Sequence, residues 1–435
     1  HRIQAAPHPL TIRPYRTPDQ AEAVAAIRLT ALEQTPQPTV LTADRGRGKT
    51  AALGIAAAQL MREQGMRILV TAPRRDAIEP MLELAESLLP DAEAHDDTLQ
   101  AFEGELDFLP PDRLVQTQPE CDLLLVDEAA AIPAPLLGRL LDHYPRIVFA
   151  TTVHGYEGTG RGFVLRFQRL LQNKAPDDHE VELETPIRWA AGDPVEALMF
   201  RLLLLDASAA PDDVIEPLST KETTVEMVDR DRLVDDETLL RELYGLLVVA
   251  HYRTTPLDLR HLLDGPNLTV YVKRYRGHVV ATALVAQEGG FDESTSWSIW
   301  TGRRRPHGHL VAQALSAYLG IEEAPAHRYA RILRIAVHPK LRRRGFGRHL
   351  VERIATDSET QGIDCLGSSF GATPELLDFW TACGCETVRI GMRRDASSGE
   401  HSALVLRALS KSGTTLLERT RQRFMRGLPV WLEAP

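Results

Sequence analysis

Cysteine is scarce in this chain of 435 residues: four thiols, Cys121, Cys365, Cys383 and Cys385, do not make a disulfide framework for so long a polypeptide. Cys383 and Cys385 form a C-x-C pair without a second pair of ligands nearby, so buried thiols are expected rather than zinc. Long apolar runs are missing as well. No stretch reaches the roughly 18 residues needed to cross a bilayer, so no membrane partner is expected. No secretory signal opens the chain, and a cytoplasmic setting is the expectation; His1 in place of Met suggests a fragment. An excess of basic charge is also absent, because 60 Asp and Glu outnumber 50 Lys and Arg for a net charge of −10. This excludes a uniformly basic coat for nucleic acid. It leaves room for RNA at local clusters: Arg303 to Arg305, Arg342 to Arg344, and Arg419, Arg421, Arg423 and Arg426. Lysine numbers only six, so a Lys inside a motif carries weight.

What is present fits a globular protein of two or three domains, with 43% hydrophobic and 25% charged residues. The first half alternates helix and strand signals. Thr17-Pro18-Asp19-Gln20 starts a helix, with Thr17 as cap and Pro18 at the first helical position. A strand over 39–42 then leads into Ala43-Asp44-Arg45-Gly46-Arg47-Gly48-Lys49-Thr50 and an alanine-rich helix over 51–62. This A-x-x-x-x-G-K-T differs at one position from the phosphate loop G-x-x-x-x-G-K-[ST]. In that loop the backbone N–H groups around Gly46 and Gly48 cradle phosphates, Lys49 reaches the outer phosphates and the Thr50 hydroxyl holds Mg²⁺. Ala43 in place of the first glycine costs little where φ is negative, and Gly46 supplies freedom.

Arg67 to Ala72 reads as a second strand, 79–89 as an amphipathic helix, and the stretch to Asp107 as acidic and irregular. Leu123 to Val126 then delivers Asp127 and Glu128. An acidic pair after a buried strand is what a Mg²⁺-dependent NTPase uses, Asp127 for the metal shell and Glu128 to orient water. A further strand over 146–151 is followed by the glycine-rich VHGYEGTGRGF, in which Arg161 is a candidate for a γ-phosphate contact. Pro186-Ile187-Arg188-Trp189 reads as the end of another strand, and Arg188 as a second phosphate sensor.

A change of character over 206–219 sets expected domains at 1–215, 216–410 and a basic segment 411–435. The second part offers a long helix over 233–251, a helix start at Thr255-Pro256, and two Val- and Thr-rich strands joined at Arg276-Gly277. A short strand is expected over 297–302. Arg303 to Arg305 precede a helix over 310–319, and they suit either an RNA phosphate or solvent. The stretch Arg331 to Leu350 then joins an apolar strand, ended by His338-Pro339, to the turn Arg342-Arg343-Arg344-Gly345-Phe346-Gly347-Arg348 and a helix from near Gly347. Unpaired N–H groups at such a helix start, with glycines admitting close approach, can hold a pyrophosphate. Strand, helix, strand, strand complete the order.

Hairpin, strand, R-x-x-G-x-G, helix, strand, helix, strand resembles the GNAT acetyltransferases. The chain as a whole resembles the bacterial tRNA(Met) cytidine acetyltransferases, through TADRGRGKT, VDEAAAIP, GYEGTGRGF, PIRWA, AHYRTTPLDLR, RRPHGHLVAQ, RIAVHP and SSFGATPELLDFWTACG. That resemblance implies an α/β protein, a helicase-like parallel-sheet ATPase domain followed by a GNAT domain. It implies ATP at Gln20, residues 42–51 and Arg161, with Gln20 reading the adenine edge. It implies acetyl-CoA at Ile335, Ala336, Val337, residues 342–348 and Glu375, and transfer of acetyl to N4 of the wobble cytidine of elongator tRNA(Met). It also implies a preceding domain and a longer tRNA-binding region than 411–435 supplies, and often a basic residue where Ala382 stands.

The chemistry constrains the rest. A cytosine amine is a poor nucleophile, so positioning, oxyanion stabilisation and a base that takes the proton late must supply the rate. His251 and Tyr252 are the candidate base and hydroxyl donor. His338 is the alternative, though its place before Pro339 suits strand termination. A GNAT enzyme for a protein or small amine, with a regulatory nucleotide-binding domain, is the other reading; oligomeric state is left open.

Overall fold

Runs of Leu, Val and Ile without polar alternation make strands that are buried on both faces, and the first half of the chain is built on them. The computed structural model describes residues 14–95, 97–154, 171, 179–215, 220–250, 255–394 and 400–433. Two compact units share the chain, His1–Asp206 and Ala207–Pro435. In the first, α1 (Pro18–Leu32), β1 (Thr39–Ala43), α2 (Lys49–Gln64), β2 (Arg67–Thr71) and α3 (Glu79–Leu88) follow the expected alternation. Then come β3 (Glu93–His95), β4 (Thr98–Ala101), β5 (Gly104–Phe108), α4 (Pro111–Thr117), β6 (Leu123–Val126), α5 (Ala134–His143), β7 (Ile147–Thr152), β8 (His179–Leu183) and α6 (Pro194–Leu203).

The eight strands lie in the order β3-β4-β5-β2-β6-β7-β1-β8. From β5 to β8 every pairing is parallel. Parallel neighbours place the carboxyl ends of β1, β6 and β7 along one edge, where loops that bind ligands gather. The stretch expected to be irregular up to Asp107 holds three strands instead. Phe102, with φ of 56°, turns β4 back on β5, and alternate residues Leu99, Ala101, Leu106 and Phe108 are buried. The acidic residues between them masked this alternation.

Among the described residues, the second unit is built on an antiparallel sheet with one parallel pair. Its elements are β9 (Thr224–Val228), α7 (Arg230–Leu233), α8 (Glu237–Ala250), α9 (Pro256–Asp264), β10 (Leu268–Tyr275), β11 (His278–Gly289), α10 (Glu293–Trp300), α11 (Leu310–Leu319) and β12 (Arg328–Val337). They continue with α12 (Phe346–Thr360), β13 (Cys365–Gly371), α13 (Pro374–Ala382), β14 (Glu386–Arg394), β15 (His401–Ala408) and α14 (Lys411–Glu433). Strand order is β14-β15-β13-β12-β11-β10-β9. Arg276 and Gly277, at φ of 47° and 91°, make the tight hairpin between β10 and β11.

Three expectations change. The long helix expected over 233–251 is α8 and begins only at Glu237: the chain turns after α7, and Asp236 accepts the Leu239 N–H at 2.9 Å to start the new helix. The strand expected over 297–302 is the end of α10, capped by Asp292, whose carboxylate accepts the Thr295 N–H at 2.8 Å. Residues 207–215, expected with the first domain, belong to the second unit, where Ala210 and Ile215 pack with Val280, Leu341 and Phe346.

Candidate functional sites

The first candidate site grows from the end of β1. Gly46 and Gly48 hold φ of 81° and 88°, a region costly for residues with a Cβ, and Gly48 caps α2. Ala43, where the usual loop has glycine, is not among the positive-φ residues and closes β1 against β7 and β8. Lys49 is buried; its Nζ donates to Thr152 Oγ1 at 2.8 Å and lies 3.5 Å from Glu128 Oε1. Thr50 Oγ1 donates to Asp127 Oδ2 at 2.8 Å, and the Glu128 N–H donates to Asp127 Oδ1 at 2.9 Å. Glu128 holds φ of 48°, which turns its carboxylate off the strand towards Lys49 and Thr152.

Asp127 is fully buried. Burial pushes its carboxyl up to about 6, against the opposing charge of Lys49; Glu128 adds to the rise and the Thr50 hydroxyl opposes it. Gln20 is also buried. Its Oε1 accepts the Arg16 N–H at 2.8 Å and its Nε2 donates to the Gly48 carbonyl at 3.3 Å, so its amide braces the phosphate loop.

Sequence reasoning missed the residues that cover this loop. Residues 186–189 do not end a strand; β8 stops at Leu183, and the Ile187 N–H donates to the Gly46 carbonyl at 2.9 Å. A Cβ on Gly46 would meet the Trp189 ring at 2.7 Å. Arg47 lies 5.8 Å from that ring and pairs with Glu196 of α6 at 2.6 Å. Arg188 is exposed. Beside the loop, a cavity of about 310 Å³ is lined by Asp44, His154, Trp189, Glu196 and Phe200, among others. Arg161 lies outside the described residues.

The second candidate site lies at the carboxyl end of β12. β12 pairs with β13 only from Tyr329 to Ile332, opposite Cys365 to Ser368. Beyond Ile332 the register on the β11 side slips around Leu333, and Ile335, Ala336 and Val337 pair with Ala283, Thr282 and Ala281 alone among the described residues. The strands therefore part, leaving one edge of β12 open over these three residues. The chain then turns through Pro339–Leu341 into α12. Its N-cap is Gly345 at φ of 85°, with no side-chain cap, and a Cβ there would meet nothing within 4 Å. The helix begins at Phe346, one residue before the expected start. Buried Phe346 anchors it, while Arg342, Arg343, Arg344 and Arg348 are exposed around it. A Cβ on Gly347 would lie 3.1 Å from Phe379 and 3.4 Å from Val337. Glu375, exposed in the first turn of α13, is four residues before Phe379 and so shares its helix face.

Beneath this turn lies a residue that no motif signalled. Lys273 of β10 is fully buried, 2.8 Å from His349 Nδ1 and 5.3 Å from the centre of the Phe346 ring. Burial pulls its amine down to about 8. Only its place directly after the largely apolar LTVYV, in a chain with six lysines, could have drawn notice. His338 is buried, with Nε2 3.0 Å from the Ala210 carbonyl, and ends β12. His251 and Tyr252 lie outside the described residues. The helix that follows them, α9, starts on a capping box of Thr255 and Asp258, and Asp258 pairs with Arg334 of β12 at 2.7 Å. Of the cysteines, Cys365, Cys383 and Cys385 are buried thiols, pushed up by burial to about 12, 11 and 12.

The family model described as "RNA cytidine acetyltransferase NAT10/TcmA, helicase domain" matches residues 40–206, and "GNAT acetyltransferase 2" matches 242–357 and 350–410. The chain belongs to the RNA cytidine acetyltransferase family. It is 56% identical over 420 residues to the tRNA(Met) cytidine acetyltransferase TmcA of Nitrosococcus halophilus, covering 97% of this chain and 56% of that protein. The tRNA(Met) cytidine acetyltransferase TmcA of Vibrio cholerae is 42% identical over 410 residues, 93% of this chain and 56% of that protein. For the protein of the same name from Haloferax volcanii the figures are 41% over 416 residues, 94% and 54%. The chain thus spans about half the length of the curated relatives it matches. Among the described residues no helix is long and apolar enough to cross a membrane.

Proposed function

We propose that this chain transfers acetyl from acetyl-CoA to N4 of a cytidine in tRNA, the wobble cytidine of elongator tRNA(Met), with the help of ATP hydrolysis. The observation that carries the reading is the open edge of β12 leading into an uncapped α12, in a chain that also holds the Lys49, Thr50, Asp127 and Glu128 cluster. The 56% identity to a tRNA(Met) cytidine acetyltransferase favours RNA over a protein or small amine as acceptor.

The residues present fit both groups. The edge of β12 that β13 leaves open over 335–337 can pair with an amide-bearing pantetheine arm, and the α12 start can take the pyrophosphate on its N–H groups. Gly345 admits close approach, Gly347 lets the helix start pack against Phe379 and Val337, and Arg342, Arg343, Arg344, Arg348 and Glu375 complete the rim. Bound acetyl-CoA supplies the activated acetyl thioester. In the first unit, Lys49 and the loop N–H groups would hold the ATP phosphates, and Arg161 a terminal one. Thr50 and Asp127, a hydroxyl and a carboxylate, are the donor types Mg²⁺ takes with phosphate and water. Glu128, oriented by Thr152 and Lys49, would position the attacking water.

A cytosine amine attacks weakly, so the protein must hold it against the thioester and remove its proton late. His251 and Tyr252 are the groups proposed for this, at the chain position just before α9. A base must leave its stack to react, at a cost of a few kcal/mol that is lowest in a loop, and ATP hydrolysis would drive that presentation. Incubation with an unmodified elongator tRNA(Met) transcript, acetyl-CoA and ATP, followed by digestion and mass spectrometry, should reveal N4-acetylcytidine. Acetylated polypeptide without that nucleoside would overturn the reading. His251→Ala should slow transfer without weakening acetyl-CoA binding, and normal turnover would remove it from the mechanism.

A further inference from the structure

The connection between β11 and β12 carries a surface that neither candidate site uses. Helix α10 exposes two tryptophans one turn apart, Trp297 at 47% and Trp300 at 36%, with ring centres 5.0 Å from each other. Apolar rings of this size are normally buried, and two together in the open mark a contact surface. The chain then folds back on the helix end: the Gly302 N–H donates to the Ile299 carbonyl and the Arg304 N–H to the Ser298 carbonyl, each at 3.0 Å. This return sets Arg303, Arg304 and Arg305, all exposed, beside the tryptophan turn.

Along the chain, the charge that follows the rings is of one sign. From Ser294 to Ile321 there is no Asp or Glu, in a chain with 60 of them in 435 residues. Asp292 and Glu293 lie at the far end of α10, and Asp292 is engaged by Thr295. The surface is also anchored. Buried Glu288 accepts the Val311 N–H at 2.7 Å and pairs with Arg331 of β12, and His309 Nδ1 accepts the Gly289 N–H at 2.9 Å. Rings and guanidinium groups are thus presented from a base tied to the sheet.

We infer that Trp297, Trp300 and Arg303 to Arg305 form a docking surface for an unpaired stretch of RNA, whose bases stack on the two rings while its phosphates meet the three arginines. Unpaired bases offer flat faces to exposed rings, whereas a duplex hides them and offers phosphate alone. Three adjacent guanidinium groups without acidic neighbours in the sequence call for an anionic chain. The inference rests on the proposed RNA substrate and adds where that substrate is gripped, apart from the coenzyme turn.

Anisotropy of a labelled oligouridylate and of a labelled elongator tRNA(Met) transcript, titrated with the full chain over a range of salt, tests it. Trp297→Ala with Trp300→Ala should weaken RNA binding about tenfold or more, while the paired Phe substitutions stay within about threefold, since Phe still stacks. Arg303→Gln, Arg304→Gln and Arg305→Gln together should lower the slope of log affinity against log salt by about two, from roughly 0.7 per phosphate contact. Acetyl-CoA binding should be unchanged throughout. The arginine variant, altered only at exposed side chains, keeps the test decisive if the alanine variant fails to fold. Unchanged RNA affinity and salt slope, in a chain that acetylates tRNA, would overturn the surface and leave the proposed function standing. An equal loss in the Phe pair, or ring-dependent capture of an acidic peptide with RNA binding unaltered, would overturn it too. A wild-type chain that neither binds nor acetylates tRNA would overturn both.

Discussion

The two candidate sites are made of different material. Around the phosphate loop the working groups are side chains that hold one another: Lys49 on Thr152 and Glu128, Thr50 on Asp127 and Gln20 on Gly48. A ligand there has to replace contacts already made. At the turn after β12 the working groups are backbone: an open strand edge and a helix start with no side-chain cap. A ligand there adds contacts that were missing. The first site should therefore fail through loss of a side chain, and the second through disturbance of the chain's path.

The largest effect expected from this contrast is at Lys49. Lys49→Ala should cut ATP hydrolysis by about a hundredfold or more, the scale of one lost charge-stabilising donor, while calorimetry shows acetyl-CoA binding unchanged. Coenzyme binding lost along with hydrolysis would break the comparison.

Next comes pH. Asp127 is raised to about 6 in the folded unit, so between pH 4 and 6 the native state binds more protons than the unfolded chain and stability falls as pH rises. Lys273 is lowered to about 8, so from pH 8 upward the unfolded chain binds more protons and stability rises. Each swing is at most about 3 kcal/mol. Hydrogen exchange read separately over each unit, without nucleotide or coenzyme, should show opposite slopes. Asp127→Asn should flatten the first and Lys273→Met the second; parallel slopes would show that the buried charges do not set them.

A smaller effect is expected at Gly345. Its φ of 85° makes Gly345→Ala strained by about 1–2 kcal/mol, and acetyl-CoA affinity should fall roughly 5- to 30-fold with ATP hydrolysis intact. The smallest concerns Ala43. Restoring the usual glycine there should cost about 0.5–1 kcal/mol of stability in β1 and leave the KM for ATP unaltered, since nothing at that position calls for positive φ. A lowered KM would show that the missing glycine matters.

Legibility differed by the kind of signal. Capping and turn chemistry was readable to within a residue or two: Thr17 and Pro18 at α1, Pro256 at α9 and Arg276-Gly277 in the hairpin. The motif lysine, threonine and acidic pair were readable because such residues at those spacings after apolar strands have few other uses. Trp297 to Gly302 was misread because aromatic and β-branched content suggests a strand, and the Asp292 cap three residues before Thr295 decided for helix. The strands before Asp107 were hidden by polar residues on their exposed faces. Residues 186–189 could not be read at all, since their role depends on lying over Gly46, some 140 residues earlier in the chain.

The sequence by itself determined the two nucleotide-type motifs, most element boundaries and the family resemblance, because these depend on local chemistry and short spacings. Only the tertiary structure decided that Gln20 braces Gly48, that Trp189 covers Gly46, that β12 and β13 part after Ile332, and that a lysine lies buried under the turn that follows β12. Each of these is a meeting of residues far apart in the chain. Which pairs meet is set by strand order and register, which no local pattern records.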